Sequence, residues 1–362
     1  MTIQPAENLT YQDRLLERVG RPHFIEAPTV YRPNDTLIEA ANAGEIITEE
    51  EAFEGYFARM EAEDPEYMKQ LHRIVETREK RYPEATNDRS DRRLQFIVPA
   101  YREGENMPTF LQALKTQFEN SDELNWGVTF VIDHAFPYRN AYERTAKCKM
   151  EEEISLFIKE NPQYAPHLDT VFFTRKKNTE TPVLPIGLAR KVGSDVLMYE
   201  RMKATQQNQD GTQERPLYLG LMDMDTNPTT PDLASEMVGL LPKDTQEKAK
   251  IVRVKGSFLP EDVKANLCIH PMQMMWEGTT SEVGKNAWHT PFNIGRGSAI
   301  PARELAMTGG VFAGKLEFPD EDIRQGAQIK SRIHGIETVE PVGRYATSSR
   351  REVNTVQGVI QR

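Results

Sequence analysis

Apolar positions along this chain fall into two textures separated by a polar gap. In the stretch TEEEAFEGYFARMEAEDPEYMKQLHRIVETREKRY, Phe53, Phe57 and Met60 recur at i, i+4 and i+7. That is the spacing of one face of an α-helix, and the stretch reads as one or two amphipathic helices. The run from Pro83 to Arg92 carries turn and breaker residues without an apolar period, which marks a boundary. Beyond it, short apolar runs alternate with helical patterns, and this predicts an α/β domain with a largely parallel sheet. LQFIV (94–98), VTFVI (128–132), VFF (171–173) and LYLGLM (217–222) are the candidate strands. Between them, NMPTFLQALKTQF sets Phe110, Leu114 and Phe118 on one helical face with Pro108 tolerated in the first turn, and LARKVGSDVLMYERM spaces Leu188, Val192, Val196 and Tyr199 helically. Asp133 closes the second run and Asp223 the fourth. In open α/β sheets the carboxyl ends of strands are where ligands bind. There is no internal repeat and no low-complexity tract.

Composition narrows the partners. A chain of 362 residues is long enough for a sizeable core and an enzyme-sized cleft. Asp plus Glu at 55 against Lys plus Arg at 45 gives a net charge of −10, which disfavours a nucleic-acid backbone as partner and favours small molecules bound locally. Cys148 and Cys268 have no CxxC neighbour, and MTIQPAENLTYQD has neither a basic n-region nor an apolar h-region. A reducing, cytoplasmic setting is therefore the expectation. No window approaches the roughly 18–20 apolar residues that span a bilayer, so no transmembrane segment is expected. Peripheral membrane contact and self-association stay open.

The strongest local signal for chemistry is Asp223-Met224-Asp225, followed by Thr226-Asn227-Pro228. If the backbone stays extended, side chains two apart share a side, and both carboxylates can face one hard divalent cation. Mg²⁺ or Mn²⁺ would suit, because carboxylate oxygens select hard ions and leave positions for water and phosphate oxygens. A turn with solvated acids is the competing explanation of a lone DxD. The second signal is Glu321-Asp322 at the front of an apparent helix, where capping by the helix dipole is the alternative to function.

Five blocks, taken in order, resemble the GT-A glycosyltransferases, in particular the inverting family 2 type, over residues 93 to 350. FIVPAYREGENMPTFLQAL is similar to that family's first strand, turn and helix, and VTFVIDHA to its second strand with a base-recognising acid. PIGLARKVGSDVLMYERM is similar to its Gly-x-Ala-Arg-x-x-Gly helix, and LYLGLMDMDTNPTTPDL to its DxD strand and turn. NIGRGSAIPARELAMTGGVFAGKLEFPDEDIRQGAQI resembles the segment where an arginine, a paired glycine and a Glu-Asp pair follow in that order. There are departures. Asp133-His134-Ala135-Phe136-Pro137 stands where an acidic pair and Gly-Ser are commoner, so His134 or Phe136 would contact the base. No Gln-x-x-Arg-Trp block follows the Glu-Asp pair, which points to a non-processive enzyme.

The resemblance implies a GT-A domain over residues 91–362, with a donor half at 93–225 and an acceptor half at 226–350. Residues 1–90 match nothing in that pattern; their helical spacing predicts a helical extension that packs against the α/β domain through Phe53, Phe57 and Met60, against a disordered acidic arm. The resemblance also implies roles. Pro99, Tyr101 and Glu103 would form the turn around the nucleoside, Asp133 would accept from a base N–H, and Arg190 or Lys191 would lie near the diphosphate. Asp223 and Asp225 would hold Mn²⁺ or Mg²⁺ against the nucleotide-diphospho-sugar donor. Asp322 would be the general base toward a carbohydrate, lipid-linked or small-molecule acceptor, supported by Glu321. His334 is a candidate third metal ligand, against a solvated loop histidine. Trp276, Trp288 and His289 are candidates for the acceptor pocket, against a place in the core. Thr347-Ser348-Ser349-Arg350-Arg351 resembles a C-terminal Thr-Ser-x-Arg-Arg of related transferases, against a plain basic tail. Two other functions compete: a nucleotidyltransferase, disfavoured by the acidic Ala100-Tyr101-Arg102-Glu103-Gly104 loop, and a non-catalytic nucleotide-sugar-binding module, disfavoured by the three acids standing together.

Overall fold

The computed structural model describes residues 24–25, 32–81, 92–100, 104–133, 141–175, 185–207, 215–244, 247–258, 298–311 and 329–347. The expected alternation of strands and helices is present. The elements run β1 (Phe24–Ile25), α1 (Asp35–Asn42), α2 (Glu49–Glu63), α3 (Pro65–Arg81), β2 (Leu94–Ala100), α4 (Met107–Glu119), β3 (Trp126–Asp133) and α5 (Ala141–Glu160). They continue with β4 (Leu168–Arg175), α6 (Pro185–Gln207), β5 (Tyr218–Leu221), β6 (Thr226–Pro228), α7 (Leu233–Leu240), β7 (Lys250–Val252) and β8 (Lys255–Phe258). The last are β9 (Ser298–Pro301), α8 (Ala302–Met307), β10 (Glu337–Val339) and β11 (Arg344–Thr347). Among the described residues no helix is long and apolar enough to cross a membrane.

The main sheet has the order β1-β4-β3-β2-β5-β9-β7-β10, and only β9 runs antiparallel to its neighbours. A second sheet of β6, β11 and β8 starts directly after the DxD segment. Both faces of the main sheet are covered, which is why its strands read as unbroken apolar runs rather than as a clean polar alternation. Side chains still alternate. Leu94, Phe96, Val98 and Ala100 of β2 join the cluster under α4, α5 and α7, whereas Ile97 joins the cluster on the opposite face. The glycine of β5 makes room for one of these: a Cβ at Gly220 would collide with the Phe96 ring.

The opposite face is covered by α6, and α6 is covered in turn by α2 and α3. Residues 187–198 of α6 are buried without interruption. A helix sandwiched between two layers has no solvent face, so its charged side chains must find partners inside. Phe53, Phe57 and Met60 of α2 pack into the same cluster as Leu188, Val192 and Val196 of α6 and Ile97 and Val131 of the sheet. The close approach of α6 to the sheet uses Gly193, where a Cβ would sit 2.7 Å from Val131 Cγ2 and 2.8 Å from Ile97 Cγ2. Helix α2 starts at a capping box: Thr48 Oγ1 accepts from the Glu51 N–H at 3.1 Å, and the Thr48 N–H donates to Glu51 Oε2 at 2.8 Å.

Candidate active site

The chain order reverses at β2. The chain steps from β2 to β3 on one side, then returns to place β5 on the other. Such a switch point opens a crevice outside the carboxyl ends of the two central strands. Two of the acids picked out from the sequence, Asp133 and Asp223, stand at the ends of the strands on either side of β2. Asp133 is the last residue of β3 and is buried at 1% exposure, one step beyond the level at which Ala100 of β2 pairs with Ile132. On β5, the Met222 N–H donates to the Ile97 carbonyl at 3.2 Å, which carries the chain one residue past the strand and brings Asp223 out beside the end of β2.

Arg190 meets Asp223 at this point. The Nη2 of Arg190 donates to Asp223 Oδ1 at 2.7 Å, and both side chains are buried. The guanidinium comes from the second turn of α6 and the carboxylate from the carboxyl end of β5, so the pair ties the covering helix to the sheet edge. Charge-assisted contacts of this length fix orientation as well as supply energy.

Three expectations are corrected. The first is an extended backbone through Asp223-Met224-Asp225. The Thr226 N–H donates to the Asp223 carbonyl at 3.0 Å, an i to i+3 bond, so the segment is a turn. Strand alternation therefore does not set the relation between the two acids: Asp223 and Met224 are buried and Asp225 is half-buried.

The second concerns Lys191, which does not accompany Arg190 to the strand end. Consecutive residues on a helix diverge by about 100°, so neighbours cannot share a face. Lys191 Nζ instead donates to the Tyr56 hydroxyl at 2.7 Å and lies 3.0 Å from Asp195 Oδ2, beneath α2 and α3. Burial lowers the Lys191 ammonium below its ordinary range, and the charge of Asp195 works against that shift.

The third is His334. It is exposed and lies just before β10, whose Glu337 pairs with Lys250 at the start of β7. Strand β7 runs parallel to β5, because each is antiparallel to β9. His334 is thus at the amino edge of the sheet, the edge opposite Asp223, on the rim of a cavity of about 310 Å³ that also meets Ile46, Ile47, Lys248 and Arg303. The structure does not bring it to Asp223 and Asp225. Among the described residues there is no group of three or more His, Cys, Asp or Glu side chains placed to hold a metal ion. A donor set of two carboxylates still suits Mg²⁺ or Mn²⁺, which commonly take one or two protein carboxylates and fill the other positions with water and phosphate oxygens.

Pro99 is buried in the last turn-ward stretch of β2. Tyr101, Glu103, His134, Phe136, Trp276, Trp288, His289, Glu321, Asp322 and Ser348 to Arg351 lie outside the described residues. The paired glycines are described: Gly309 and Gly310 have φ of 101° and 78°, a left-handed turn that ends α8 and opens the way to the segment bearing Glu321 and Asp322.

Sequence reasoning missed one group. Tyr56 and Tyr67 of the N-terminal helices donate to Asp195 Oδ1 and Oδ2 at 2.8 and 2.7 Å. Two signals pointed there: Tyr56 falls within the i, i+3, i+4, i+7 set of Phe53, Phe57 and Met60, and Lys191 and Asp195 form an i, i+4 pair in an otherwise apolar stretch.

No family model and no curated protein matches the chain. Among solved structures it is similar to a mannosyltransferase, PcManGT from Pyrobaculum calidifontis in complex with GDP-Man and Mn²⁺, at 15% identity and a TM-score of 0.42 over 84% of this chain and 65% of that one. It is also similar to S. aureus TarS 1-349 in complex with UDP, at 12% identity and a TM-score of 0.35 over 71% of this chain and 60% of that one. The match thus spans less than two thirds of the length of either.

Proposed function

We propose that this chain is a metal-dependent glycosyltransferase that moves a sugar from a nucleotide-diphosphate donor to an acceptor hydroxyl, with inversion and without processivity. The observation that carries this reading is the buried Arg190–Asp223 pair at the carboxyl ends of the strands flanking the switch point, with Asp133 closing the adjacent strand. A nucleoside diphosphate needs a polar group for its base and a cation-rich cradle for its charge. The crevice offers an acid at one strand end and a fixed arginine with two acids at the other.

Within this reading Asp133 accepts from a base N–H, and the turn of Pro99, Tyr101 and Glu103 encloses the nucleoside. Arg190 holds Asp223 in one orientation, and Asp223 and Asp225 hold Mn²⁺ or Mg²⁺. The cation, when bound, neutralises the diphosphate as it leaves. Asp322 takes the proton of the acceptor hydroxyl while its oxygen bonds to the anomeric carbon, and the electron pair of the breaking C–O bond departs with the diphosphate. Glu321 supports that base, and Trp276, Trp288 and His289 stack against or bond the acceptor.

Donor hydrolysis across nucleotide sugars, with and without Mn²⁺, tests the reading. Metal-dependent release of nucleoside diphosphate supports transfer. Release of pyrophosphate from a nucleoside triphosphate would replace it with nucleotidyl transfer, and binding without release in any acceptor mixture would replace it with a binding module. Asp322→Asn keeps the shape but cannot take the proton, so turnover is expected to fall by about two to four orders of magnitude with donor binding kept. Unchanged turnover would reduce Asp322 to a capping acid.

A further inference from the structure

We propose that Tyr56, contributed by the N-terminal helix α2, is a positioning residue for the donor site, acting through α6. This rests on the glycosyl-transfer reading and extends it to a part of the chain outside the resemblance.

The Tyr56 hydroxyl is a junction. It donates to Asp195 Oδ1 at 2.8 Å and accepts from Lys191 Nζ at 2.7 Å, so it closes a ring with the i, i+4 pair of α6. Tyr67 of α3 completes the carboxylate from the other side at 2.7 Å. Lys191 follows Arg190 in sequence. A rotation or slide of α6 that disturbed the ring at Lys191 would move Arg190 against Asp223, because one rigid turn of helix carries both.

The same hydroxyl also faces Gly310. A side chain there would collide with Tyr56 Oη, so the glycine is required by this contact as well as by its φ of 78°. Gly310 ends the turn from which the chain runs on toward Glu321 and Asp322. Tyr56 therefore touches the helix that carries the donor-side arginine and the turn that leads to the acid-bearing segment. Bulk apolar packing alone tolerates small slides of α6, whereas directional bonds among buried polar groups do not. Phe53 and Phe57 supply adhesion on either side of it, and the hydroxyl supplies registration.

Hydrogen exchange with UDP and GDP, each with Mn²⁺, is the first test. Nucleotide is expected to slow exchange at 218–226, in the first half of α6, and also in α2 around residues 52–58. Slowing at the strand end and α6 with none in α2 would overturn the coupling and leave the donor site standing. No slowing anywhere would overturn the donor site, and the coupling with it. Turnover is the second test. Tyr56→Phe keeps the ring and removes the junction, and about a 10- to 100-fold loss of kcat is expected at a temperature where the variant is fully folded, in keeping with the cost of a misplacement of about 1 Å. Phe118→Leu, on the far face of the sheet, serves as the comparison for mere destabilisation and should keep wild-type kcat per folded molecule. A Tyr56→Phe variant that also kept wild-type kcat and donor KM would contradict the proposal.

Discussion

The two faces of the central sheet are buried by different means. Under α4 and α5 the cover is aromatic: Phe118 stacks on Trp126 at 4.5 Å between ring centroids and on Tyr164 at 4.7 Å, with Phe96 and Phe110 set edge-on to their neighbours. Under the N-terminal helices the cover contains buried ions. Arg78 of α3 bonds Glu200 of α6 at 2.8 and 3.1 Å and also Asp169 of β4, and Lys191 and Asp195 sit within the ring of Tyr56 and Tyr67. Glu49 at the start of α2 reaches Arg201 at 3.3 Å and accepts from the Leu217 N–H at 2.6 Å. Buried ion pairs add little net stability over apolar residues of the same volume, because desolvation offsets the attraction, but losing one partner is costly. The face nearest Arg190 thus adds to its apolar packing interactions that are poor adhesives and good locators. Apolar contacts hold both faces, and the ionic contacts set where one helix stands.

The largest expected effect breaks the ionic face. Arg78→Met leaves the Asp169 and Glu200 carboxylates buried together, and a stability loss of about 3–5 kcal/mol is expected in urea melts. Phe118→Leu trims the aromatic face and removes two stacked contacts, and is expected to cost about 1–3 kcal/mol. Equal losses would remove the distinction between the faces.

Next in size is Gly193→Ala. The added methyl meets Val131 and Ile97 at less than 3 Å, so α6 must lift from the sheet. About 1–3 kcal/mol is expected from such overpacking. Arg190 lies one turn away, so nucleotide affinity should fall along with the melting temperature. A thermal melt with and without nucleotide separates the two effects, and an unchanged affinity would show that the site does not depend on the seat of α6.

The smallest effect is a pH dependence on the sheet itself. Burial pushes the Tyr218 phenol above its ordinary value, and the Glu304 and Glu49 charges add to that, while the Lys250 N–H works against it. The folded state then keeps the proton after the unfolded chain has lost it. The stability this contributes is present below the unfolded pKa of about 10 and declines as pH rises beyond it. Tyr218→Phe should flatten the alkaline limb of the stability curve, and a limb that stays as steep would assign it to other groups.

Much of this was legible in the sequence, and the unread part has a common physical cause. Strands β2, β3, β4 and β5 and helices α4 and α6 stood out because burial on both faces gives continuous apolar runs and helical spacing gives periodic ones. The strand-end acids stood out for the same reason, as polar residues that interrupt such runs. Four things did not. The turn at Asp223 is set by one backbone hydrogen bond that composition does not encode. The separate fates of Arg190 and Lys191 depend on which layers enclose α6, a tertiary fact. The edge on which His334 sits follows from β9 being antiparallel, and the run SAIP is too short to announce its direction. The ring around Asp195 was hidden because Tyr56 reads as one more apolar position on α2.

The central claim is that the Arg190–Asp223 corner receives a nucleoside diphosphate with a divalent cation, and its most direct test is the thermal shift given by UDP or GDP with Mn²⁺ in the wild type, Asp223→Ala and Asp225→Ala. A ligand bound at 100 times its Kd adds about 2.7 kcal/mol to the native state, which a melt resolves. The wild type is expected to shift with nucleotide only when Mn²⁺ is present, and both variants are expected to fold and lose that shift. A metal-dependent shift of the same size in both variants would contradict the assignment.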